Sequence, residues 1–540
     1  MTQDRTLWLL FFLASLLLLV TVGSYGVIES SDARYAEIAR EMYVSGDWLH
    51  PNLLDVHHYH KPPLTYQITA LGYKLFGINA FGARFFLQIA IVLQMLLVYL
   101  LTLQFTSHKK VALWAAAIYF SFPMVLIASR NLTTDTFLTT FTLLGIYAWV
   151  RYRKEGKFRW LYVFTLSLAF GFLTKGPVVF LAPVVFALLF NRLEIRKQKW
   201  SLHHIVAWSI FVMLSASWFI YLALDNPAFW NYFIERQTVE RFSKNVFNRS
   251  EPFWYFIVLT PLLGMPWVLL LPWLVKKTKV RFTLGTVENI LLFSVLIPLV
   301  FFSISTSKRV LYILPLYPLL AVFIALMLSK LHVQYHHVVL RFVFAYAAFV
   351  FTALGVAPWI PGKITFPELL TPLSLFLLVF LFWFWRQTSM ESRNKSVFIS
   401  FVTAGYFLLS ATALFSHSVQ SFRIASPVAA WIKENHVENR EILVYNKRLP
   451  SLAFEMNRSI VSLYDGDRTL NREVQFEKDN MWQKYLYNIT EKKEKIRLQN
   501  RLKSTPSVLI SYKKVIPPKH TWLKEYYRKH TVIGKWNIYY

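Results

Sequence analysis

Six side chains, scattered through 540 residues, have the types that one transfer reaction needs: Asp32, Lys61, Asp135, Arg241, Lys308 and Tyr312. A carboxylate can orient or deprotonate an attacking group. Cations can stabilise a departing phosphate. Asp32 lies in ESSDARYAEI, where Glu29 and Asp32 are the first carboxylates after an apolar stretch. Tyr35, Ile38, Ala39 and Met42 then recur at helical spacing and Gly46 stops the pattern, which predicts an amphipathic helix lying flat at a membrane surface. Asp32 equally suits an N-cap of that helix. In YHKPP, Lys61 stands on an extended backbone ahead of two prolines. It fits a phosphate contact or a lysine snorkelling at headgroup level, and Tyr59 joins it as a candidate phosphate contact. His57, His58 and His60 offer a metal ligand or a solvated imidazole cluster. Asp135, in RNLTTDTFLTT, begins an apolar run. A carboxylate there is costly unless used or paired, or unless it caps the helix with Thr133 and Thr134. Arg241 shares a helical face with Gln237, as an anion contact or a solvated face. Lys308, Arg309 and Tyr312 stand together in STSKRVLYILPLYP, suited to a phosphate or to interfacial anchoring.

The rest of the chain must carry these residues to one place. Hydrophobic residues make up 55%, aromatic residues 17% and charged residues only 16%, too apolar for a water-soluble globule and too rich in large side chains for disorder. There is no cysteine, which excludes thiol catalysis, disulfides and thiolate metal sites. The formal charge is +29. It is dispersed among apolar runs, which argues for membrane orientation and anionic lipid and against nucleic acid.

Thirteen stretches fit membrane spans: 7–28, 81–104, 111–128, 135–150, 160–174, 177–190, 205–224, 253–275, 288–303, 310–329, 338–357, 369–385 and 397–416. With the N-terminus in the cytoplasm, Arg5 and the inner connections carry 20 basic residues, as the positive-inside rule requires. The outer face then receives the loop 29–80, the loop 225–252 and the tail 417–540. All six chemistry-bearing residues fall on that face, where carboxylates and cations suit transfer on a lipid phosphate. The fold class expected is an α-helical polytopic membrane protein of about 13 spans, residues 1–416, followed by a small soluble α/β domain, 417–540. Its helix and strand signals alternate from SPVAAWIKENH and EILVY to a final VIGKWNIYY strand.

The motifs ESSDARYAEIAREMYVSGDWLHP, YHKPPLTYQ, FGINAFGARF, TTDTFL, TKGP and SKRVLYILPLYP occur in this order. Together they resemble the bacterial type C membrane glycosyltransferases, in particular the protein mannosyltransferase and lipid A aminoarabinose transferase family. The resemblance implies an inverting enzyme of the bacterial inner membrane, with its tail in the periplasm. It would move a sugar from a polyprenyl-phosphate donor to a lipid or glycan acceptor of the lipid A type. It assigns Asp32 and Asp135 as catalytic carboxylates, Lys61 and Tyr312 as phosphate contacts, and Arg241 as a basic position after the long outer loop. In the aminoarabinose group a glutamate precedes the KP lysine and is linked to a metal. This chain has His60 there, and Thr238 where a second ligand, a histidine, would stand. No cofactor is assigned; a divalent metal is the open candidate, with His60 as its ligand.

The alternative functions are a protein O-mannosyltransferase-like enzyme and a transporter of lipid-linked or anionic substrates. A transporter predicts repeat symmetry and ionisable residues at mid-membrane. The sequence has neither. A non-catalytic scaffold leaves the opposed carboxylates and cations without a reason.

Overall fold

The computed structural model describes residues 3–193, 199–233, 251–279, 285–362, 364–387, 390–419, 421–466, 473–513 and 515–540. It divides into two compact units. One comprises Met1–Val22 and Phe85–His417, the other Gly23–Arg84 and Ser418–Tyr540. The first outer loop, expected among the spans, therefore packs with the tail.

The first unit is helical. Among the described residues, six of its helices are long and apolar enough to cross a membrane: Ala80–Phe105, Leu202–Asp225, Val287–Ile304, Val310–Lys330, Val333–Trp359 and Ser392–His417. Two bent pairs bring the number to eight if each is one span. The first pair, Lys109–Ser121 and Pro123–Ser129, turns by 63° because Phe122, ahead of a proline, is driven to an extended ψ of 126°. Arg5–Leu19, Pro177–Phe190 and Leu370–Arg386 are apolar but shorter. Each of the thirteen expected intervals overlaps a helix, but the interval 7–28 does not hold to its end. That helix stops at Leu19, and residues from Gly23 onward join the other unit.

Val310–Lys330 is the centre of the bundle, 94% buried. Several polar side chains inside this unit are paired with one another or with backbone, as an apolar surrounding favours. Gln94 donates to the Thr136 carbonyl at 2.7 Å and to Thr140 Oγ1 at 2.8 Å. Arg130 donates to Gln88 Oε1 at 3.1 Å, to Thr412 Oγ1 at 3.1 Å and to the Leu18 carbonyl at 3.0 Å.

The second unit is built on a six-stranded sheet, with β1 Glu441–Tyr445, β2 Val461–Tyr464, β3 Leu486–Asn488, β4 Ser507–Tyr512, β5 His530–Ile533 and β6 Trp536–Tyr539. The spatial order is β3-β2-β1-β4-β6-β5. The first four strands are parallel and the last two antiparallel. Two details differ from the sequence reading. Two residues of β3, Tyr487 and Asn488, open the stretch YNITEKKEKIRLQNRL, which the sequence pattern predicts as helical. The single final strand is a hairpin turned at Gly534, whose φ is 56°.

The predicted helix in the first loop spans Ser31–Ser45 and ends at Gly46 with a left-handed φ of 73°, a conformation that glycine adopts without steric cost. It does not present a polar face outward. It packs against Leu64–Phe76 and Pro450–Met456, and buries Glu37, Arg40 and Glu41 along with Ala36, Ile38 and Ala39. The charges compensate locally. Both Glu37 oxygens accept from Arg40 at 2.7 Å. Glu41 accepts from the amides of Leu54 at 2.5 Å and Asp55 at 3.1 Å. Leu54 and Asp55 have φ of 54° and 57°, so this carboxylate holds a left-handed turn that side-chain sterics oppose.

Candidate active site

In the helical unit, Asp135 lies in the first turn of Thr134–Glu155. It is not the N-cap. That position belongs to Thr133, whose side chain makes no capping bond. The Asp135 carboxylate is buried, 6% exposed, and is ion-paired with Lys175. Lys175 ends the helix Phe158–Lys175, and Gly176 turns the chain away with φ of 80°. Its ammonium lies 4.3 Å from the centre of the Tyr312 ring, a contact worth about 0.5–2 kcal/mol. Helix pairing, a glycine stop and the 3-10 turn Val310–Leu316 thus build one array of carboxylate, cation and phenol. Lys308 serves differently. Its ammonium donates to the Glu251 carbonyl at 2.8 Å and the Ser305 carbonyl at 2.6 Å, fastening the end of Val287–Ile304.

In the second unit, Asp32 is also fully engaged. It is the second residue of its helix, and Ser30 is the N-cap. Its Oδ2 accepts from the Ile28 amide at 2.9 Å and from Arg84 Nη2 at 2.5 Å, while Oδ1 accepts from Arg84 Nε at 3.2 Å. Arg84 is fully buried. It donates on to the carbonyls of Tyr25 at 3.2 Å and Gly26 at 3.0 Å, with its guanidinium 4.3 Å from the Tyr25 ring centre. This is a bidentate pair that also donates to two backbone carbonyls, the geometry in which a buried ion pair is tolerated.

The carboxylate beside it faces a cavity. A space of about 240 Å³ is lined by Glu29, Arg34, His58, Arg423, Lys447 and Arg448, among others. Lys447 and Arg448 follow β1 and Tyr464 ends β2. Ligands of open parallel sheets bind at such carboxyl ends. Arg448 pairs with Glu473 at 2.7 Å, yet its Nε is buried without a partner among the described residues. Cations outnumber acids here, which suits an anionic ligand. Glu29 accepts from the Ser451 amide at 2.7 Å, and burial pushes its carboxyl up to about 7. A carboxyl raised in the folded state stabilises fully below its unfolded value of about 4.5, and that stability is lost as pH rises through about 7. Burial shifts Glu37 and Glu41 in the same direction. Melting curves from pH 5 to 8.5 should therefore show stability falling with pH. Glu29→Gln should remove at most about 3 kcal/mol of that fall; an unchanged pH slope would show that Glu29 does not titrate there.

The loop before Lys61 is buried, contrary to the solvated cluster expected. His58 and His60 are 4% and 7% exposed, because residues 473–477 cover them. Glu477 accepts the His57 amide at 2.6 Å, and Phe476 lies 5.1 Å from the Tyr59 ring. Burial lowers His58 to about 4, so it is neutral at physiological pH. Tyr59 is a packed ring between His57 and Phe476, which positions the loop, while Lys61 is half-buried beside it. The His60 ring is 3.9 Å from that of His58. Among the described residues no three His, Asp or Glu side chains gather as a metal site. Arg241 and Thr238 lie outside the described residues.

Residues 6–233 match the model of the dolichyl-phosphate-mannose-protein mannosyltransferase family. The resemblance carried by the first-loop motifs is thereby borne out. The matched stretch contains Asp32, Lys61, Asp135 and Lys175, whereas Lys308 and Tyr312 lie beyond it. Among curated relatives, an undecaprenyl phosphate-alpha-4-amino-4-deoxy-L-arabinose arabinosyl transferase of Proteus mirabilis is 32% identical over 307 residues, 55% of this chain and 54% of the relative. One from Pseudomonas fluorescens is 29% identical over 319 residues, 58% of each chain. The chain thus spans a little over half the length of the curated relatives it matches. In fold, it is similar to ArnT from Cupriavidus metallidurans bound to undecaprenyl phosphate, with a TM-score of 0.78 at 18% identity, covering 100% of this chain and 98% of that one.

Three residues of the matched stretch were not singled out as site residues from the sequence: Lys175, Glu29 and Arg84. Lys175 had a signal, a lysine before Gly-Pro at the end of an apolar helix. Arg84 had a weaker one, a cation inside an apolar run that must find a carboxylate.

Proposed function

We propose that this chain is an inverting glycosyltransferase of the bacterial inner membrane. It moves a sugar from a polyprenyl-phosphate carrier to a lipid or glycan acceptor of the lipid A type on the outer face. The observation that carries the reading is the Asp135–Lys175–Tyr312 array at the ends of apolar helices. The arabinosyl transfer of the curated relatives and the lipid phosphate bound by the similar structure point to the same donor chemistry.

In this reading the acceptor oxygen attacks the anomeric carbon from the side opposite the leaving group. The bond from that carbon to the carrier phosphate breaks, and the new glycosidic bond forms with inversion. A carboxylate, Asp135 or Asp32, takes the acceptor proton or orients an acceptor that is already anionic. Cations hold the charge that develops on the departing polyprenyl phosphate; Lys175, Lys61 and Arg241 are assigned that work, with Tyr312 and Lys308 as further assigned contacts. The proposed topology has thirteen spans, a cytoplasmic N-terminus and a periplasmic tail. The family description favours a second reading, a protein acceptor with a mannosyl donor.

The test is transfer in vesicles containing purified protein, a labelled polyprenyl-phosphate sugar and either lipid A or an acceptor polypeptide. Label in the lipid A fraction, with stoichiometric release of polyprenyl phosphate, is expected. Label in the polypeptide alone would establish the second reading, and label carried across the membrane without transfer would establish a transporter.

A further inference from the structure

We propose that the helical unit carries a second anionic site, separate from the transfer chemistry, that holds the phosphate headgroup of a membrane phospholipid. A cavity of about 520 Å³ opens where Phe105 ends one helix, Lys109 begins the next, Lys330 ends a third and Ser392 begins a fourth. Its walls include Ser107, Lys109, Lys110, Trp114, Ser329 and Arg393. Asp135 follows the far end of the bent pair that starts at Lys109.

The charge balance calls for an anion. Three cations line the space, and two of them share one carboxylate, Glu391, which pairs with Lys110 at 2.6 Å and with Arg393. The cations are held in place. Trp114 lies between them, its ring centre 5.5 Å from the Lys110 ammonium and 5.1 Å from the Arg393 guanidinium. The indole is itself fixed by a 2.9 Å bond to Asn394 Oδ1. Arg393 also donates to the Leu328 carbonyl at 3.2 Å. The 13-residue helix Lys109–Ser121 starts at the cavity with no side-chain cap, so its first amides and its positive dipole end add to the attraction.

The volume falls within the range of small-ligand sites, about 300–1,000 Å³, more than a lone phosphate requires and enough for a glycerophosphate group. Location selects a lipid over a soluble anion. The helices that meet here include Ala80–Phe105, Val310–Lys330 and Ser392–His417, all long enough to cross a membrane. In a bilayer the ends of such helices lie at headgroup depth, where tryptophan collects and basic pockets between helices take anionic headgroups. The positive-inside assignment makes this the cytoplasmic leaflet.

The experiment compares the full-length protein in phosphatidylcholine nanodiscs with and without phosphatidylglycerol, reading retained lipid by native mass spectrometry and stability by thermal melting. Selective retention of phosphatidylglycerol and a higher melting temperature are expected. The Lys109→Gln/Lys110→Gln double variant should lose about tenfold or more of that retention, while its melting in phosphatidylcholine alone reports whether it folds. For a variant that fails there, Ser107→Asp, which places a like charge against the headgroup, is the substitute with the same expectation. Equal retention of the two lipids by the wild type would overturn the proposal, as would unchanged retention by a folded variant. Displacement of the lipid by millimolar inorganic phosphate would show a free-phosphate site and overturn the lipid assignment.

Discussion

Arg84→Ala should unfold the second unit at a temperature where the wild type is intact, with a loss of about 3–5 kcal/mol. The substitution strands the Asp32 carboxylate in a site that is 3% exposed. It also removes donors from the carbonyls of Tyr25 and Gly26, which then lie buried without partners. Arg84→Lys should rescue little, because an ammonium cannot reproduce the bidentate geometry. Asp32→Asn combined with Arg84→Gln should cost less than Arg84→Ala alone, since no buried charge is left uncompensated. Thermal melts of the purified protein in detergent, followed by tryptophan fluorescence, check this order. A melt of Arg84→Ala coincident with wild type would mean the pair contributes nothing. This prediction bears on chemistry too. Lost transfer by an Asp32 variant is informative only if its melt is normal, because the same carboxylate anchors the helix Ser31–Ser45.

Asp135→Asn should lower transfer by about 10²–10⁴-fold with a melting temperature close to wild type, since the amide keeps the shape of the carboxylate and can still accept from Lys175. Lys175→Ala should be worse on both counts. It leaves Asp135 charged and buried, a loss of about 3–5 kcal/mol, and it removes the cation proposed to stabilise the departing phosphate. Tyr312→Phe keeps the aromatic face under the ammonium at 4.3 Å and should stay within about threefold of wild type if the ring alone matters. A larger fall would assign the hydroxyl a phosphate contact. Single-turnover release of polyprenyl phosphate separates these outcomes from binding defects. Full activity of Asp135→Asn would reduce the pair with Lys175 to a structural one.

Much of the local structure was legible in the residues. The periodicity of Tyr35, Ile38, Ala39 and Met42, and the glycine that follows, marked the helix Ser31–Ser45 and its end. The apolar runs EILVY and SVLISY marked β1 and β4. What those patterns did not carry was environment. The helix was read as amphipathic at a surface because Glu37 and Arg40 are charged, yet they satisfy each other three residues apart and can be buried. The strand β3 escaped notice because three residues are too few for an alternating pattern to show.

The sequence by itself determined that this is a chain of apolar helices with an attached sheet, and it named the carboxylates, because hydrophobic runs and helix stops are properties of neighbouring residues. Only the tertiary structure decided which cation each carboxylate meets. Asp135 and Lys175 are 40 residues apart, Asp32 and Arg84 are 52 apart, and Glu29 is bound by an amide 422 residues away. No local pattern encodes such a partner. It follows from packing, where burying one charge requires that its opposite, wherever it lies in the chain, be brought to the same place.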